Sequence, residues 1–553
     1  MSSWLLAQCV VEQLQQAGVR HVVLAPGSRN APLSMALHRV QEVGAQEIGA
    51  QGIELHVRID ERSAAFLALG MARALEQPVA VVTTSGTAVA NLAPAVMEAN
   101  EASVPLVVLS ADRPLTAMNS GASQTGHQFG LFAGQVRHQV QLTSDATPKA
   151  WRFQLRVALA LATGQRTRRP GPVQVNLHLD EPLMPTEEGL DAPRPWQVEP
   201  SRPAAPVSLE AGPRTVVLAG DARPAVGQRA AQLAHEAGVP LLAEPSSNAR
   251  VGQAISTYRL LLGKPDLGGQ IEQVVVFGHP TLSRPVTRLL RRSDVEVVVV
   301  ADDARWPDPG FTASRVVDDV ELAPASDPSW LNRWLTADLD MQTRLQLAQR
   351  PEAGRDPRPT GLAVASLVVE RTAGQVLVLG SSNPIRDADL ARVPDALFGP
   401  QATPTTVFAN RGLAGIDGVT STAAGIALAL DRPTTCLLGD LTFLHDAGGL
   451  WLGALERRPT LRLVVLDDRG GSIFHTLEQG APEHEASFEK VFGTPHRTDL
   501  AALGAAHGWQ SATVDDLAEL GQRLRVPVRG PELLVVPVTR DDRRAWAERI
   551  AAF

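Results

Sequence analysis

The chain is poor in cysteine and has no long hydrophobic run. Its 553 residues include only two cysteines, Cys9 and Cys436, which excludes a disulfide framework and a cysteine-rich metal site. No uninterrupted apolar stretch approaches the ~20 residues that a membrane-spanning helix requires. The N-terminus also lacks a basic segment followed by an apolar one. We therefore expect a cytoplasmic protein without a membrane span.

Lysine is also scarce, since only Lys149, Lys264 and Lys490 occur and arginine supplies nearly all the positive charge. A GC-rich coding bias is the simplest explanation of this skew. Arginine nevertheless presents a planar group that binds carboxylates with two hydrogen bonds. The net charge of −8 gives no support to nucleic acid or an acidic membrane as a main partner.

Short apolar runs alternate with helical patterns along nearly the whole chain, which predicts an α/β protein built on parallel sheets. The runs are nearly continuous in Val, Leu and Ile, as in strands that are covered on both faces. They span residues 21–25, 79–83, 106–109, 215–218, 274–277, 295–300, 376–379, 435–438 and 461–466.

Two proline-rich stretches indicate domain boundaries. Residues 182–213 contain eight prolines and residues 350–360 contain three, which makes both poor material for a packed element. The sequence therefore predicts three α/β domains, which span residues 1–185, 212–345 and 360–553. Each has an ordinary domain size.

Two loops that follow predicted strands carry aspartates and glycines. Gly439-Asp440 follows the strand 435–438, and Asp467-Asp468-Arg469-Gly470-Gly471 follows the strand 461–466. Parallel strands joined by a helix end at the same edge of a sheet, so we expect Asp440 to lie beside the turn 468–470. Mg²⁺ prefers hard oxygen ligands and commonly takes carboxylates together with phosphate oxygens. The loops form a candidate metal–diphosphate site, although ordinary turns have the same composition.

A further acidic segment, Ile59-Asp60-Glu61, stands between a predicted strand end and the apolar helical stretch 63–75. A carboxyl group in an apolar pocket has a raised pKa and is suited to proton transfer. The helix dipole alone also favours acidic residues in a first turn. Glu61 by itself does not decide between these interpretations.

Taken together, these segments resemble the thiamine-diphosphate enzymes of the pyruvate-decarboxylase-like superfamily. The 28-residue spacing from Asp440 to Asp468 fits its motif, although the superfamily usually has Asn at the position of Asp468. The resemblance implies that Glu61 activates thiamine diphosphate, and that Asp440, Asp468 and the Gly470 carbonyl bind Mg²⁺ or Mn²⁺. The residues implied to contact the cofactor are Thr84, Ser85, Gly86, Gly439, Asp440, Leu441, Gly471, Ile473 and Phe474.

The same resemblance bears on domain roles and assembly. It implies that the outer two domains bind thiamine diphosphate and that the middle domain is Rossmann-like. In this superfamily the glutamate-bearing domain of one subunit faces the diphosphate-bearing domain of another. We therefore expect a homodimer or homotetramer with active sites at the subunit interface.

Four loops at predicted strand ends or before a predicted helix carry an arginine. They are Pro26-Gly27-Ser28-Arg29, Ala111-Asp112-Arg113-Pro114, Ser381-Ser382-Asn383-Pro384-Ile385-Arg386 and Asn410-Arg411-Gly412-Leu413-Ala414-Gly415-Ile416-Asp417-Gly418. Any one of them could form a surface ion pair of little energetic weight. Four such loops suggest substrates with several carboxylates, because arginine binds carboxylates bidentately.

These loops resemble those of the synthases that make 2-succinyl-5-enolpyruvyl-6-hydroxy-3-cyclohexene-1-carboxylate in menaquinone biosynthesis. The resemblance covers residues 26–474, and Leu441 after Gly-Asp also fits it. It implies that 2-oxoglutarate is decarboxylated and that the succinyl carbanion adds to isochorismate in a Stetter-like 1,4-addition. By analogy, Ser382 and Arg386 bind the succinyl carboxylate and Arg411 lies near both substrates. The residues implied to bind isochorismate are Ser28, Arg29, Arg113 and Gln124.

Three alternatives remain open at this stage. The chain could be another thiamine-dependent 2-oxoacid decarboxylase or carboligase, which the four arginine loops disfavour. It could bind NAD or FAD through the middle domain, although Gly220-Asp221-Ala222 lacks a full G-x-G-x-x-G motif. It could also be a non-catalytic relative, against which Glu61 and Asp440 argue. We expect no nucleic-acid partner and no histidine base.

Overall fold

The computed structural model describes residues 2–46, 52–186, 189–191, 195–349, 357–393, 404–540 and 543–553. The chain forms two compact units. The first comprises residues 1–202, 412–432 and 445–460, and the second comprises residues 203–411, 433–444 and 461–553. Both predicted proline-rich boundaries lie partly outside the described residues, so the division into three domains stays a prediction.

The first unit is built on a six-stranded sheet with the order β2-β1-β3-β4-β6-β5. Every pairing in it is parallel, as the continuous apolar runs predict. The carboxyl ends of β1, β3 and β4 are therefore neighbours at one edge. The strands are β1 (His21–Leu24), β2 (Glu54–Val57), β3 (Val79–Thr83), β4 (Leu106–Asp112), β5 (His138–Thr143) and β6 (Val173–His178).

The helices of the first unit cover this sheet, and their apolar faces form its core with Trp4, Phe132 and Trp151 fully buried. Ser2 and Thr147 begin two of the helices as N-caps, each accepting a hydrogen bond from a backbone N–H in the first turn. The helices are Ser3–Gln16, Ala31–Gln46, Glu61–Leu75, Thr87–Ala90, Ala93–Glu101, Pro148–Ala162 and Val419–Leu430.

The second unit contains two large parallel sheets and a parallel strand pair. The order of the first large sheet is β12-β11-β10-β8-β9, β13 pairs with β7, and the order of the second is β15-β14-β16-β17-β19-β18. These strands are β7 (Val207–Leu209), β8 (Thr215–Ala219), β9 (Leu241–Ala243), β10 (Gln273–Phe277), β11 (Glu296–Val300), β12 (Ala313–Val317), β13 (Val320–Leu322), β14 (Val376–Leu379), β15 (Thr406–Phe408), β16 (Thr434–Gly439), β17 (Leu461–Asp467), β18 (Gln510–Thr513) and β19 (Glu532–Pro537).

The helices of the second unit alternate with these strands, which gives the doubly covered α/β architecture that the sequence predicts. None of the described helices combines the length and apolar character needed to cross a bilayer. The helices are Pro224–Ala237, Tyr258–Leu261, Arg284–Leu289, Ser329–Ala348, Gly361–Arg371, Asn383–Leu390, Asp440–His445, Glu485–Phe488, Leu500–Ala506, Leu517–Arg525 and Arg543–Ala551.

In the first unit, the helices Glu61–Leu75 and Val419–Leu430 pack closely because each carries a glycine at the contact. A Cβ on Gly70 would lie 2.2 Å from the carbonyl oxygen of Thr422, and a Cβ on Gly425 would lie 2.1 Å from that of Leu67. Both obstacles are backbone atoms, which cannot move without displacing a helix. The helix that begins at Glu61 is therefore held by a contact that tolerates no side chain.

We expect Gly70→Ala to lower the free energy of unfolding by roughly 1–3 kcal/mol, the usual cost of overpacking a core. Gly521→Ala is the matched control, because Gly521 lies in the helix Leu517–Arg525 and its Cβ would approach the Leu367 side chain only to 3.8 Å. That control should be neutral or slightly stabilising, since alanine favours a helix. Equal melting temperatures for the two variants would contradict the close helix contact.

Candidate functional site

A cluster of acidic side chains occupies the carboxyl edge of the second large sheet in the second unit. Asp440 follows β16. Its Oδ2 accepts a hydrogen bond from Gly470 N at 2.9 Å and lies 3.0 Å from His496 Nε2. Asp467 ends the neighbouring strand β17, with Oδ1 at 3.7 Å from the same imidazole nitrogen. The strand order thus brings Asp440 beside the turn 468–470, as the sequence predicts.

The three ligand atoms that converge are those of Asp440, Asp467 and His496, which lie within 4.8 Å of one another. Sequence spacing instead selected Asp468 as the second carboxylate. Asp468 lies in the same turn, and its Oδ1 is buried without a hydrogen-bond partner among the described residues. An unpartnered buried carboxylate oxygen is costly unless a cation or donor meets it.

Burial of these carboxylates weakens their acidity. Burial, followed by the nearby charge of Asp467, raises the pKa of Asp440 to about 7. Burial, followed by the charge of Asp440, raises the pKa of Asp468 to about 7. Burial lowers the pKa of His496, so its imidazole is favoured in the neutral, ligating form. Several oxygen ligands that repel one another at a buried edge fit a divalent cation.

Close backbone contacts require glycine at positions 470 and 471. Gly470 has φ +152°, and a Cβ there would lie 2.2 Å from the Gly493 carbonyl oxygen. Gly471 N donates to that same oxygen at 2.7 Å. The half-buried Ile473 and Phe474 follow in a 3-10 turn, and the Phe474 ring packs 5.6 Å from that of Phe492. Close approach to the backbone of residues 492–493 thus requires glycine at both positions, whether or not phosphates bind there.

Glu61 is the first residue of its helix, and its neighbour Asp60 is the N-cap. The Asp60 carboxylate accepts a hydrogen bond from Arg62 N at 2.9 Å. Asp60 therefore supplies the N-cap, and the half-buried carboxyl group of Glu61 lies in the first helical turn, where the helix dipole favours a negative charge. The residues that follow Glu61 in the helix include the buried Ala64, Ala65 and Phe66.

Asp446 connects the starts of the Glu61–Leu75 and Val419–Leu430 helices in the first unit. Its carboxylate accepts hydrogen bonds from Ser421 N at 2.7 Å, Ser421 Oγ at 3.1 Å and Ser63 Oγ at 3.3 Å. Burial nevertheless raises the pKa of Asp446 to about 6. The sequence showed no sign of this residue, because its partners lie 25 and 383 positions away.

The raised pKa of Asp446 gives its contribution to stability a definite pH dependence. The pKa of Asp446 is about 6 in the folded state and 3.8 ordinarily, so the folded state favours the protonated carboxyl group. The stability that this protonated group contributes is therefore fully present below pH 4 and is lost as the pH rises through 6. At one pKa unit per ~1.4 kcal/mol, ionised Asp446 costs roughly 3 kcal/mol at neutral pH. We expect Asp446→Asn to raise the melting temperature at pH 8 but not at pH 4.

The control is Asp431→Asn, because the Asp431 side chain is 87% exposed in the same unit. It should show no pH-dependent gain. A loss of stability in Asp446→Asn that is equal at both pH values would show that the hydrogen bonds outweigh the cost of burying the charge.

The predicted cofactor loop of residues 84–86 is held by two glutamines of the first unit. Ser85 Oγ donates to the Gln124 carbonyl at 2.8 Å, and Gly86 N donates to Gln128 Oε1 at 3.1 Å. Gln128 Nε2 in turn donates to the Ala111 carbonyl at 3.0 Å and to Asn176 Oδ1 at 2.7 Å. The buried amide of Gln128, which the sequence did not single out, links the loop after β3 to the ends of strands β4 and β6.

Arg29 and Arg113 form a pair of like charges in the first unit. Burial, and then the nearby charge of Arg113, lowers the pKa of Arg29. Arg29 Nη1 donates to the Leu179 carbonyl at 2.9 Å, while the Nε atoms of both arginines are buried without a partner among the described residues. Ser28 and Gln124 are exposed. Two adjacent cations with unused donors are suited to a carboxylate ligand.

Arg386 and Arg411 form a similar pair in the second unit. Burial, and then the charge of Arg411, lowers the pKa of Arg386. Arg386 Nη1 donates to the Ser382 carbonyl at 2.7 Å, and Ser382 has φ +76°. Arg411 is 3% exposed, and its Nε has no partner among the described residues. The sequence-predicted substrate arginines thus lie in two pairs, one in each unit.

A second group of potential metal ligands in the first unit has a simpler explanation. His21, Glu54 and His56 converge, but Glu54 pairs with Arg457 Nε at 2.8 Å, and the two imidazoles share a contact of 3.2 Å. Burial lowers the pKa of both histidines, which favours a neutral hydrogen-bonded pair. We assign no metal to this group.

The chain is similar to thiamine-diphosphate enzymes in sequence and in fold. Residues 5–131 match the family described as "Thiamine pyrophosphate enzyme, N-terminal TPP binding domain", and residues 395–538 match "Thiamine pyrophosphate enzyme, C-terminal TPP binding domain". In fold, the chain is similar to benzoylformate decarboxylase from Polynucleobacter necessarius, with a TM-score of 0.66 at 17% identity. That similarity covers 98% of this chain and 99% of the decarboxylase.

Two relatives are similar over nearly their full length. The 2-succinyl-5-enolpyruvyl-6-hydroxy-3-cyclohexene-1-carboxylate synthase of Kineococcus radiotolerans is 47% identical, over 99% of this chain and 98% of its own. The synthase of the same name from Nocardioides sp. is also 47% identical, over 99% and 97%. The chain therefore belongs to the 2-succinyl-5-enolpyruvyl-6-hydroxy-3-cyclohexene-1-carboxylate synthase family of thiamine-diphosphate enzymes.

Proposed function

We propose that the chain decarboxylates 2-oxoglutarate and adds the resulting succinyl group to isochorismate by a Stetter-like 1,4-addition. The products are 2-succinyl-5-enolpyruvyl-6-hydroxy-3-cyclohexene-1-carboxylate and CO2, in menaquinone biosynthesis. The observation that carries the proposal is the occurrence of two arginine pairs, Arg29 with Arg113 and Arg386 with Arg411. Both proposed substrates are dicarboxylates, and the unused arginine donors suit such ligands.

Thiamine diphosphate, when bound, supplies a nucleophilic carbon and an electron sink for the decarboxylation. Glu61 holds a proton at N1′ of the aminopyrimidine, and the buried helix behind it excludes water from that carboxyl group. The loop 84–86 lies beside the aminopyrimidine in this proposal, while Ile473 and Phe474 support the thiazolium half. Gly439, Leu441 and Gly471 line the diphosphate.

The proposed metal ion is Mg²⁺ or Mn²⁺, bound by Asp440, Asp468 and the Gly470 carbonyl. The buried, unpartnered Oδ1 of Asp468 supports this choice, since an oxygen atom suits both ions. Asp467 and His496 would then orient the site from beside Asp440.

The substrate roles follow from the two arginine pairs. Ser382 and Arg386 bind the distal carboxylate of 2-oxoglutarate, and Arg411 lies near both substrates. The carboxylate that is lost should not be tightly held, because holding it would stabilise the ground state. The residues proposed to bind isochorismate are Ser28, Arg29, Arg113 and Gln124.

The proposal also includes the assembly and its location. Family resemblance supports a homodimer or homotetramer in the cytoplasm, with active sites at the subunit interface. Size-exclusion chromatography with light scattering tests the assembly, and a monomer that is fully active would contradict it.

One assay tests the function as a whole. Purified protein is incubated with thiamine diphosphate, Mg²⁺, 2-oxoglutarate and isochorismate, and the loss of isochorismate is followed together with CO2 release. We expect equal amounts of both, and little CO2 when isochorismate is omitted. Failure to consume isochorismate would overturn the proposal, whereas rapid aldehyde release without it would indicate another thiamine-dependent decarboxylase.

A further inference from the structure

Arg411 is anchored by a residue of another sheet in the second unit. Its Nη2 donates a hydrogen bond to Thr281 Oγ1 at 2.9 Å. Thr281 follows strand β10 and is itself exposed, so this end of the guanidinium borders the surface of the unit. The contact occupies one of the five N–H donors of the side chain, and the buried Nε has no partner among the described residues.

The position of Thr281 is set in turn by a buried glutamate. Glu244 directly follows β9, and its carboxylate accepts hydrogen bonds from Leu282 N at 2.8 Å and Thr281 N at 3.3 Å. Glu244 is 1% exposed and also lies within electrostatic range of Arg411. Burial raises the pKa of Glu244 to about 8, which shows how costly its charge is at this place.

Because burying the carboxyl group of Glu244 is costly, we expect its hydrogen bonds to fix the position of neighbouring residues. Among the described residues, the Glu244 carboxyl group accepts its two hydrogen bonds from the backbone N–H groups of residues 281 and 282. It therefore fixes the segment that presents the Thr281 hydroxyl. The order of contacts runs from Glu244 to the backbone of Thr281, and from the Thr281 hydroxyl to Arg411.

The surroundings of Arg386 explain why Arg411 needs such a support. Arg386 and Arg411 repel each other, and Arg259 adds a third positive charge nearby. Buried Asp389 offsets this charge, because it lies 3.4 Å from Arg259 and 3.7 Å from Arg250. The hydrogen bond to Thr281 Oγ1 gives the Arg411 guanidinium a fixed contact beside these positive charges.

We propose that Thr281 and Glu244 are positioning residues that hold the Arg411 guanidinium in the orientation that binds the dicarboxylate 2-oxo acid. This inference rests on the proposed function for the identity of that acid. Neither residue touches the reacting atoms in this assignment. Thr281 sets the direction of the guanidinium, and Glu244 sets the place of Thr281.

The test compares Thr281→Val, which keeps the shape but removes the acceptor, with Thr281→Ser, which retains it. The holoenzyme is titrated with glutarate, a five-carbon dicarboxylate that cannot react, and KM and kcat for 2-oxoglutarate are measured separately. We expect Thr281→Val to weaken glutarate binding and raise this KM by about 5-fold, as for one lost hydrogen bond. Thr281→Ser should restore both values. Glu244→Gln should also weaken glutarate binding, because its amide replaces one of the two oxygens that accept from the backbone of residues 281 and 282.

The matched control is Ser283→Ala, because the Ser283 hydroxyl is buried in the same segment without a partner among the described residues. It should bind glutarate as the wild type does. Unchanged glutarate affinity in Thr281→Val would overturn the inference even if the wild type is fully active. A wild type that binds glutarate but consumes no isochorismate would instead overturn the proposed function. Should Glu244→Gln fail to fold, the Thr281 pair decides alone.

Discussion

Glu61→Gln is expected to reduce kcat by about 10³-fold, within the range that a positioned proton-transfer group contributes. The amide has nearly the same shape, but it cannot hold a proton at the aminopyrimidine nitrogen as a carboxyl group does. Folding should be almost unaffected, because Asp60 supplies the helix N-cap and the loss of a first-turn charge costs only about 0.3–1 kcal/mol. Turnover is measured at saturating cofactor, and cofactor binding is measured by equilibrium dialysis.

Glu76→Gln is the control for this experiment, since Glu76 is the C-cap at the other end of the same helix. The same chemical change there should leave kcat within a factor of two of wild type, on the scale of an ordinary surface substitution. Full turnover by the Glu61 variant would disprove the proposed activation. An equal loss of kcat in the Glu76 variant would show that the effect arises from a change in the helix and not from the Glu61 carboxyl group.

Asp440→Ala is expected to weaken retention of metal and cofactor by ~100-fold or more, because even outer partners of a metal ligand are worth 10–100-fold. It removes the acceptor of the Gly470 N–H as well, so the turn 468–470 loses its link to β16. The measurement is the concentration of Mg²⁺ required to retain thiamine diphosphate on a desalting column. Retention by Asp440→Ala equal to that of the wild type would exclude a metal at this edge.

Three related variants decide which neighbouring aspartate is the second ligand. Asp468→Asn keeps an oxygen atom and should retain the metal, whereas Asp468→Ala should not. Asp467→Ala should have the smaller effect if Asp467 acts from outside the coordination shell. If instead Asp467→Ala abolishes retention and Asp468→Ala does not, the ligand choice based on the spacing of 28 residues is wrong.

The sequence predicted the interior strands better than the edges. The nine continuous apolar runs all correspond to strands, because a parallel strand covered on both faces must be apolar throughout. The strands β2, β5 and β18 lie at sheet edges and contain polar residues, so their pattern was weaker. β6 lies inside its sheet but buries Gln174 and Asn176, which hydrogen-bond to neighbours. The interior strand β19 was not among the predicted strands, although its residues Leu533–Val536 are all apolar.

Site residues that belong to short sequence motifs could be predicted, whereas those defined by contacts between distant segments could not. Asp440, Glu61 and the four arginines lie in short segments between strand ends and the first turn of a helix, so short motifs were enough to select them. His496, Glu244, Thr281 and Gln128 carry no motif, because their partners are brought to them by folding. Asp467 was passed over in favour of its neighbour since spacing cannot show which of two adjacent side chains turns toward Asp440.

The hydrogen bonds of Gln128 have a consequence for engineering the acceptor specificity. One amide holds Gly86 of the predicted cofactor loop and, through Ala111 and Asn176, the strand ends that carry Arg113. A library that varied Gln128 would disturb cofactor and acceptor together, and improved variants would be masked by inactive ones. The exposed side chains of Ser28 and Gln124 can be varied with less disturbance, because Ser85 is held by the backbone carbonyl of Gln124 and not by its side chain. Directed evolution toward new acceptors should therefore keep Gln128 fixed and begin with those two positions.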